Sequence, residues 1–320
     1  MIFLEERALY TDTDHCLQTL EQAIDRQPAA SPGEPAIWHA YWFGEVGPKQ
    51  VLSLKSALAT QNPATTQVWL WLDEQNGYAG HEENPYLRPI LPLLTVRPFN
   101  PRAEFRGTPL DVGLLRWRAR RRLHRLAERT DNLAKRADLF RVTVLHNHGG
   151  LYFDLDILFL RDFAGLDAFV PCDTEYAYQW SNQAYANTAI LQLQAGSPLA
   201  RQLLEEAAAT GEILPWELFR FREGLPLTIL PSAFFDPLWQ DVDGIHRSAR
   251  VPLHSFAAFF DRTDDPAGLD TFCRGAFAHH WHNQWAAAEL RHSYAGRLNA
   301  EIDEILRVRE GIHPCPTFMA

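Results

Sequence analysis

Two aspartates one residue apart, Asp154 and Asp156, are the residues of this sequence best suited to do chemistry. They stand in LYFDLDILFL, an apolar and β-branched stretch whose length predicts a central strand. Alternation along such a strand puts Tyr152 and both aspartates on one face, with the two carboxylates about 6.6 to 7 Å apart. At that spacing they can share one ion and its bound phosphates rather than one proton.

Two interpretations of these aspartates stay open at this point. Uncompensated carboxylates on a buried strand are strongly unfavourable, so something positive should meet them. Asp154 and Asp156 could form ion pairs with arginines at the end of the strand, since an Asp-x-Asp triplet is common. Alternatively they hold a cation, because hard oxygen ligands with no thiolate nearby favour Mg²⁺ or Mn²⁺. Such an ion commonly bridges a carboxylate to phosphates, which suggests a nucleoside diphosphate as the partner.

The segment before the aspartates predicts an amphipathic helix. Apolar residues recur at helical spacing over 133–144, and Gly149-Gly150 supplies a left-handed stop. Asp138 and Arg141, three residues apart, share a neighbouring face of this helix. They either pair with each other or point into a site.

The rest of the chain predicts strands that alternate with helices. AIWHAYWFG, which begins at Ala36, predicts a buried strand, VLSLKSALAT a helix, and the segment from Gln67 to Asp73 a second strand. Strand, helix, strand is the opening of a nucleotide-binding α/β unit. The alternation returns in NTAILQLQ, in SPLARQLLEEAAATG with Ser197 as its cap, and in LPLTILPS. We therefore predict one main α/β domain with helical additions.

Composition and charge exclude several classes of protein. The chain carries 40 acidic and 30 basic side chains, a formal charge of −10, so we expect no nucleic-acid partner. No apolar run reaches the roughly 18 to 20 residues of a membrane span, and the first residues do not resemble a signal peptide. We therefore expect a cytoplasmic protein. The four cysteines form no CxxC motif, which excludes a zinc ribbon and favours free thiols.

A local excess of positive charge interrupts this acidic sequence. Residues 116–129, RWRARRRLHRLAER, hold seven arginines within a predicted helix at 114–130. One interpretation is a solvated helical face whose arginines pair with acidic neighbours. The other is a docking surface for a phosphorylated acceptor, an anionic lipid or an acidic partner, which would place the protein peripherally on a membrane.

The segment AKRADLFRVTVLHNHGGLYFDLD resembles the DxD region of retaining glycosyltransferases with the GT-A fold, the group described as a glycosyltransferase sugar-binding region containing DxD. FRGTPL, NTAILQLQAGSPLARQL, LPSAFFDPLWQD and AHHW are similar, in order, to segments of the α-1,4-glycosyltransferase branch. The resemblance covers most of residues 36–285. The group's pattern is present as Ala137-Asp138, Arg141, Gly149-Gly150, Tyr152 and Asp154-Leu155-Asp156.

This resemblance implies a fold, a division into domains and an activity. The fold is α/β of the GT-A type, a Rossmann-like mixed sheet flanked by helices. We expect a helical extension at 1–35, the glycosyltransferase domain at 36–288, and a C-terminal helix and tail at 289–320. The implied activity moves a hexose or N-acetylhexosamine from a UDP-sugar to an acceptor hydroxyl, with retention. A non-catalytic nucleotide-sugar or metal-binding protein on the same scaffold is the alternative, and a metal-dependent phosphoesterase is a third reading.

The resemblance also implies a metal site. It gives Asp156 direct coordination of the cation, and Asp154 contacts with the ribose and with metal-bound water. His279 resembles the histidine of the family's C-terminal H-x-W pattern, which completes the metal site or contacts the diphosphate. Imidazole suits Mn²⁺ better than Mg²⁺. The neighbouring His280 and His282 are the other candidates for this ligand.

By the same resemblance, further residues are expected to contact the donor. Asp138 and Arg141 are expected to contact donor-sugar hydroxyls and phosphate, and Asn187 the donor sugar or the reaction centre. A guanidinium fork suits a diphosphate or a carboxylate, which supports the role of Arg141. The aromatic residues have two interpretations each, a contact with the nucleotide or simple burial in the core. Assigned to the donor site are Trp38, Tyr41 and Trp42 for the uracil, Ala137 and Tyr152, and Trp281 and Trp285 as a closing lid.

Overall fold

The structure is a computed structural model that describes residues 1–24, 35–111, 121, 133–180, 183–211, 213, 226–242, 248–288 and 291–313. The arginine-rich segment at 114–130, apart from Arg121, lies outside these residues. Within the described part, the strands are β1 (Ile2–Phe3), β2 (Ala36–Trp42), β3 (Thr66–Asp73), β4 (Leu94–Phe99), β5 (Gly150–Phe153), β6 (Ile157–Phe159), β7 (Tyr176–Gln179), β8 (Asn187–Leu193), β9 (Thr228–Pro231) and β10 (Ala278–His280).

The helices confirm most of the predicted ones. Ser197 caps its helix as predicted, since its hydroxyl oxygen accepts a hydrogen bond from the amide of Ala200. Over the described residues, the α-helices are α1 (Thr13–Ile24), α2 (Pro48–Thr60), α3 (Pro101–Glu104), α4 (Leu133–His148), α5 (Pro198–Thr210), α6 (Pro237–Val242) and α7 (Tyr294–Glu310). Short 3-10 helices lie at Arg7–Tyr10, His81–Glu83, Leu91–Leu93, Phe163–Ala168, Ser232–Phe234 and Ala257–Phe259. None of the described helices is long and apolar enough to cross a membrane.

Eight of the strands form one mixed sheet in the order β1-β9-β7-β8-β5-β2-β3-β4. Strand β8 runs antiparallel to both of its neighbours, β5 and β7, while the other neighbouring strands are parallel. Strands β6 and β10 pair antiparallel in a separate ribbon. The predicted α/β fold, a mixed sheet flanked by helices, is therefore confirmed.

The sheet has an apolar layer on each face, as its strand alternation requires. Trp38 and Ala40 of β2 belong to the core cluster that contains the buried residues of α1, α2 and α7. Tyr41, the next residue along, belongs to the other cluster, which contains those of α4 and α5. Adjacent residues at the end of β2 thus face opposite layers of the molecule.

The turn between α4 and β5 depends on the two glycines that end the helix. Gly149 and Gly150 have φ angles of +65° and +97°, which glycine adopts without steric cost. A Cβ at Gly150 would overlap the carbonyl oxygen of Ile37, because β5 pairs directly with β2. These glycines let β5 enter the centre of the sheet immediately after the helix.

The first residues of the chain join the sheet as well as forming a helix. The sequence analysis assigned only helix to this segment, and α1 confirms a helix there. In addition, Ile2 and Phe3 pair in parallel with Thr228 and Ile229 of β9 at the edge of the sheet. Such a short strand covers backbone groups that an edge would otherwise expose.

The prediction of one continuous strand through the aspartates is wrong. Strand β5 ends at Phe153, and the chain turns before β6 begins at Ile157. The amide of Asp154 still donates to the carbonyl of Ala189, and the amide of Ile157 then closes the turn on the carbonyl of Asp154. Two carboxylates within a central strand would be buried without water. The turn instead carries them past the end of β5, where Asp154 is partly exposed and Asp156, although buried, meets polar partners.

Candidate active site

A cavity of about 510 Å³ opens at the edge of the sheet where β2 and β5 end. Because β8 is antiparallel to β5, its first residues, Asn187–Ala189, lie at the same edge and line the same cavity. The segment after β10 supplies a further part of the lining with His282, Asn283 and Trp285. A volume of this size suits a small-molecule or cofactor-sized ligand.

Arg141 of α4 holds the first aspartate of the DXD triplet. Its Nη2 lies 3.2 Å from Oδ1 of Asp154 and 3.3 Å from Oδ1 of Asp138. Its Nη1 donates to both the carbonyl oxygen and the hydroxyl of Thr188, each at 2.7 Å. The hydroxyl of Tyr152 also donates to Asp154 Oδ1, at 2.5 Å. Arg141 therefore joins the helix, the DXD turn and the start of β8 at one point.

Asp138 lies behind Arg141 and is nearly buried. Burial raises the pKa of Asp138 to about 6, although the neighbouring guanidinium of Arg141 opposes this shift. Its side chain does not line the cavity, which Arg141 and Asp154 do. Asp138 therefore acts on the cavity indirectly, through its ion pair with Arg141.

The second aspartate, Asp156, belongs to a different cluster. Its Oδ2 lies 3.2 Å from Nε2 of His280 and accepts a hydrogen bond from the amide of Asn283 at 2.8 Å. On the other side of the imidazole, Nδ1 of His280 lies 3.8 Å from Oδ2 of Asp236. That same oxygen accepts from Nε2 of His282 at 2.7 Å. Carboxylates and imidazoles therefore alternate along one buried row.

The charges in this row stabilise one another. Burial alone would raise the pKa of Asp156, but His280 and the Asn283 amide outweigh burial and hold it below its usual value. Burial would likewise lower the pKa of His280, but the charge of Asp156 outweighs it and raises that pKa to about 9. Asp156 and His280 therefore each favour the charged form of the other.

The same residues fit a divalent cation. Ligand atoms of Asp236, His280 and His282 all lie within 4.8 Å of one another. The buried Oδ1 of Asp236 has no hydrogen-bond partner among the described residues, and such an unpaired oxygen is costly. A cation would satisfy it, and a set of carboxylate oxygens with imidazole nitrogens suits Mn²⁺.

Most residues that the sequence analysis assigned to the site do meet at this cavity. Tyr41 and Trp42 lie at the end of β2, and Trp285 contacts Trp42, with their ring centroids 5.2 Å apart. Tyr41 is mostly buried and stacks on Phe140 of α4. The other assigned residues that line the cavity are Ala137, Arg141, Tyr152, Asp154, Asp156 and Asn187.

Trp38 and Trp281 do not line this cavity. Trp38 faces the other side of the sheet, where it packs against Phe153, Phe159 and Phe163. Trp281 is completely buried and stacks on Phe259. For both tryptophans, the structure shows the burial alternative that their sequence positions left open.

His279 also lies away from the cavity. Successive side chains of a strand point to opposite faces, so His279 and His280 of β10 cannot both face Asp156. Strand pairing places His280 opposite Ile157, next to Asp156, while His279 packs between Phe259 and Phe272. Burial lowers the pKa of His279 to about 3. Of the three candidate histidines, His280 and His282 are the two at the acidic cluster.

Sequence reasoning missed two site residues, Trp180, which lines the cavity, and Asp236, which contacts the lining residues Trp180 and His282. Asp236 precedes Pro237, the first residue of α6, which is a common position for an aspartate that starts a helix. It is fully buried beside His282, and its Oδ2 also accepts from Nε1 of Trp180 at 2.8 Å. The Asp-Pro dipeptide in LPSAFFDPLWQD was therefore a visible signal, but its partners are distant in sequence.

The segment that contains the DXD turn is similar to a known sequence family. Residues 48–189 match the sequence model of the family described as "Glycosyltransferase sugar-binding region containing DXD motif", and the match includes both aspartates. No curated protein matches the chain. Among solved structures, the PaToxG glycosyltransferase is 17% identical, with a TM-score of 0.41 over 75% of this chain and 82% of that one. A structure described as a transferase is 11% identical, with a TM-score of 0.36 over 54% of this chain and 78% of that one. The part of the chain that contains the DXD turn, residues 48–189, is therefore similar to the sugar-binding region of this glycosyltransferase family.

Proposed function

We propose that this protein is a glycosyltransferase that moves a hexose or an N-acetylhexosamine from a UDP-sugar to an acceptor hydroxyl, with a divalent cation and with retention. The observation that carries the proposal is the arrangement of the DXD turn. Both aspartates line a cavity of about 510 Å³, and each contacts a different side chain, Asp154 the guanidinium of Arg141 and Asp156 the imidazole of His280. The two carboxylates are therefore suited to separate tasks.

Asp154 is the aspartate suited to contact the donor directly. Its side chain is 27% exposed, whereas that of Asp156 is 5% exposed. Arg141 and Tyr152 both bind its Oδ1, which fixes the carboxylate in one orientation. In our proposal, Asp154 accepts hydrogen bonds from hydroxyls of the ribose or the donor sugar, and the base lies against Trp42 and Trp285.

The row formed by Asp156, His280, Asp236 and His282 would hold the cation, Mn²⁺ or Mg²⁺. When bound, the cation would neutralise the negative charge that develops on the departing diphosphate. The protein's own contribution is to fix the ligands before the donor arrives. The Asn283 amide orients Asp156, and Nε1 of Trp180 orients Asp236.

The distribution of carboxylates supports attack by the acceptor on the same face of the sugar from which the diphosphate departs. A double-displacement route needs a carboxylate on the opposite face to form a covalent intermediate. Among the described residues that line the cavity, the carboxylates are Asp154 and Asp156, and Arg141 and His280 already contact them. We therefore assign neither of them as a nucleophile.

The direct test is release of sugar from a panel of UDP- and GDP-sugars without an acceptor. We expect release from one UDP-sugar when Mn²⁺ or Mg²⁺ is present and none after chelation, and proton NMR should show the α-anomer first. Metal-dependent binding of UDP without any release, even with candidate acceptors, would identify a non-catalytic nucleotide binder. Cleavage of simple phosphate esters with no preference for sugar nucleotides would identify a phosphoesterase.

A further inference from the structure

Lys49, at the start of α2, places a buried ammonium group directly behind one wall of the cavity. The residue is 2% exposed. Its Nζ donates to the carbonyl oxygens of Gln284, Trp285 and Ala287, at 2.5, 2.9 and 2.6 Å. It also lies 4.4 Å from the centroid of the Phe260 ring. A buried ammonium is costly unless such contacts compensate it, so this arrangement fixes the path of the loop at 284–287.

That loop continues from two site residues with a left-handed backbone. His282 and Asn283 have φ angles of +48° and +56°, a region that few residues other than glycine adopt and in which histidine and asparagine are enriched. This conformation lets the Asn283 amide reach Asp156. The side-chain oxygen of Asn283 then accepts from Nε1 of Trp285 at 3.0 Å. If this loop moved, Asp156 would lose its hydrogen bond from the Asn283 amide, and Trp285 would lose its bond to the Asn283 side chain.

Lys49 is also connected along the chain to Trp42, another residue that lines the cavity. The segment between Trp42 and Lys49 is short, and Nε1 of Trp42 donates to the carbonyl of Glu45 at 2.9 Å. The amide of Gly47 donates to the side-chain oxygen of Gln50 at 3.0 Å, which fixes the start of α2. The ring of Trp42 in turn contacts that of Trp285. Lys49 thus links the end of β2 to the loop that follows β10.

We propose that Lys49 is a positioning residue that holds the Asn283–Trp285 wall against the Trp42 wall, and thereby sets the affinity for the donor. This inference rests on the proposed function of the cavity as the donor site. Lys49 does not line the cavity itself and acts through the backbone of the loop. Because small displacements of site residues have large effects on binding and rate, loss of Lys49 should weaken donor binding by about tenfold or more.

The chain offers a matched control in the same helix. Lys55 of α2 has a fully buried side chain and pairs with Asp303 of α7 at 2.5 Å, away from the cavity. The experiment compares Lys49→Met with Lys55→Met, measuring the melting temperature, the Kd for UDP with Mn²⁺, donor KM and kcat, and hydrogen exchange of the 282–288 amides. Both variants should lose stability. Lys49→Met alone should raise the Kd and KM about tenfold, change kcat less than about threefold, and expose the loop amides.

Equal effects of the two variants on Kd, KM and loop exchange would overturn the proposal, because Lys49 would then be only a structural residue. If Lys49→Met does not fold, Lys49→Gln retains one donor group and should give a smaller increase in KM and in loop exchange. Unchanged loop exchange in a folded Lys49→Gln protein would also overturn it. The exchange measurement needs no nucleotide, so it separates this proposal from the proposed function, which fails if the wild-type protein binds no UDP.

Discussion

The Nε2 atom of His280 lies 3.2 Å from Oδ2 of Asp156, and both side chains are almost completely buried. The pairing of β10 with β6 produces this contact, because His280 is opposite Ile157, the residue after the second DXD aspartate. A buried ion pair adds little net stability, but removal of one partner leaves the other charge buried and unpaired. Both the metal chemistry and the local stability of the site therefore depend on this pair.

Asp156→Asn should reduce sugar release by about 100-fold or more, because the variant loses the charge that would hold the cation and orient the site. Asp303→Asn is the matched control, since it breaks the buried pair with Lys55 outside the cavity. Both variants should lower the free energy of unfolding, and only Asp156→Asn should lose activity. Steady-state assays with urea unfolding check this. Unchanged activity in Asp156→Asn would contradict the assignment.

Asp236→Asn should weaken binding of Mn²⁺ by about 10- to 100-fold, because it removes a carboxylate from the Asp236–His280–His282 group. Isothermal titration with Mn²⁺ alone measures the change without any donor. Asp162→Asn serves as the control, because Asp162 caps a short helix by accepting from the amide of Ala164. Equal Mn²⁺ affinities in the two variants would place the cation elsewhere.

Arg141→Lys should lower kcat/KM by about 100-fold despite its retained charge. One ammonium cannot bind Asp154, Asp138 and both oxygens of Thr188 together, as the guanidinium does. Arg201→Lys is the control, because Arg201 forms an exposed pair with Glu205. We expect that variant to match the wild type in kinetic assays. Equal kinetics for Arg141→Lys would show that charge alone suffices at this position.

The free energy of unfolding should fall in acid because the buried His39 must stay neutral in the folded protein. Its Nε2 donates to the carbonyl of Gly149 and its Nδ1 accepts from Nε1 of Trp71, an arrangement that requires the neutral ring. Burial lowers the pKa of His39 to about 4, although the Gly149 carbonyl opposes this. The unfolded chain, with a histidine pKa of about 6.5, therefore binds a proton first as the pH falls.

Between pH 7.5 and 5, this difference removes about 2 kcal/mol of unfolding free energy. Urea unfolding at the two pH values measures the loss, and in His39→Gln the loss should be smaller by that amount. Glutamine keeps a donor and an acceptor, so the variant tests the titration rather than the packing. The same loss in both proteins would assign the acid sensitivity to other groups.

Gly150→Ala should destabilise the protein by at least about 3 kcal/mol, because the residue has a φ of +97° and its Cβ would meet the Ile37 carbonyl. Gly196→Ala is the control, with a φ of +70° and open space around the new methyl group. Gly196→Ala should lower the free energy of unfolding by about 1 kcal/mol, because alanine is less favourable than glycine at a positive φ. Thermal unfolding of both variants measures the difference. Similar melting temperatures would mean that β5 can move away from β2.

The sequence determined the parts of this protein that depend on neighbouring residues. Helix α4, its glycine stop and the Ser197 cap were predictable, because helix periodicity and capping are local properties. The DXD triplet and Arg141 were identifiable by their spacing and by family resemblance. The apolar run around the aspartates misled the prediction, since LYFDLDILFL has strand composition on both sides of a turn.

Only the tertiary structure decided which side chains share the cavity. His279 and His280 are adjacent, so the local sequence does not show which of them faces Asp156. The register of β10 on β6 places His280 there. Asp236 joins the cluster from another segment, and Lys49 reaches carbonyl groups more than two hundred residues away. Strand register and long-range packing are set by the whole core rather than by adjacent residues. A one-residue shift of β10 would point the other histidine at Asp156.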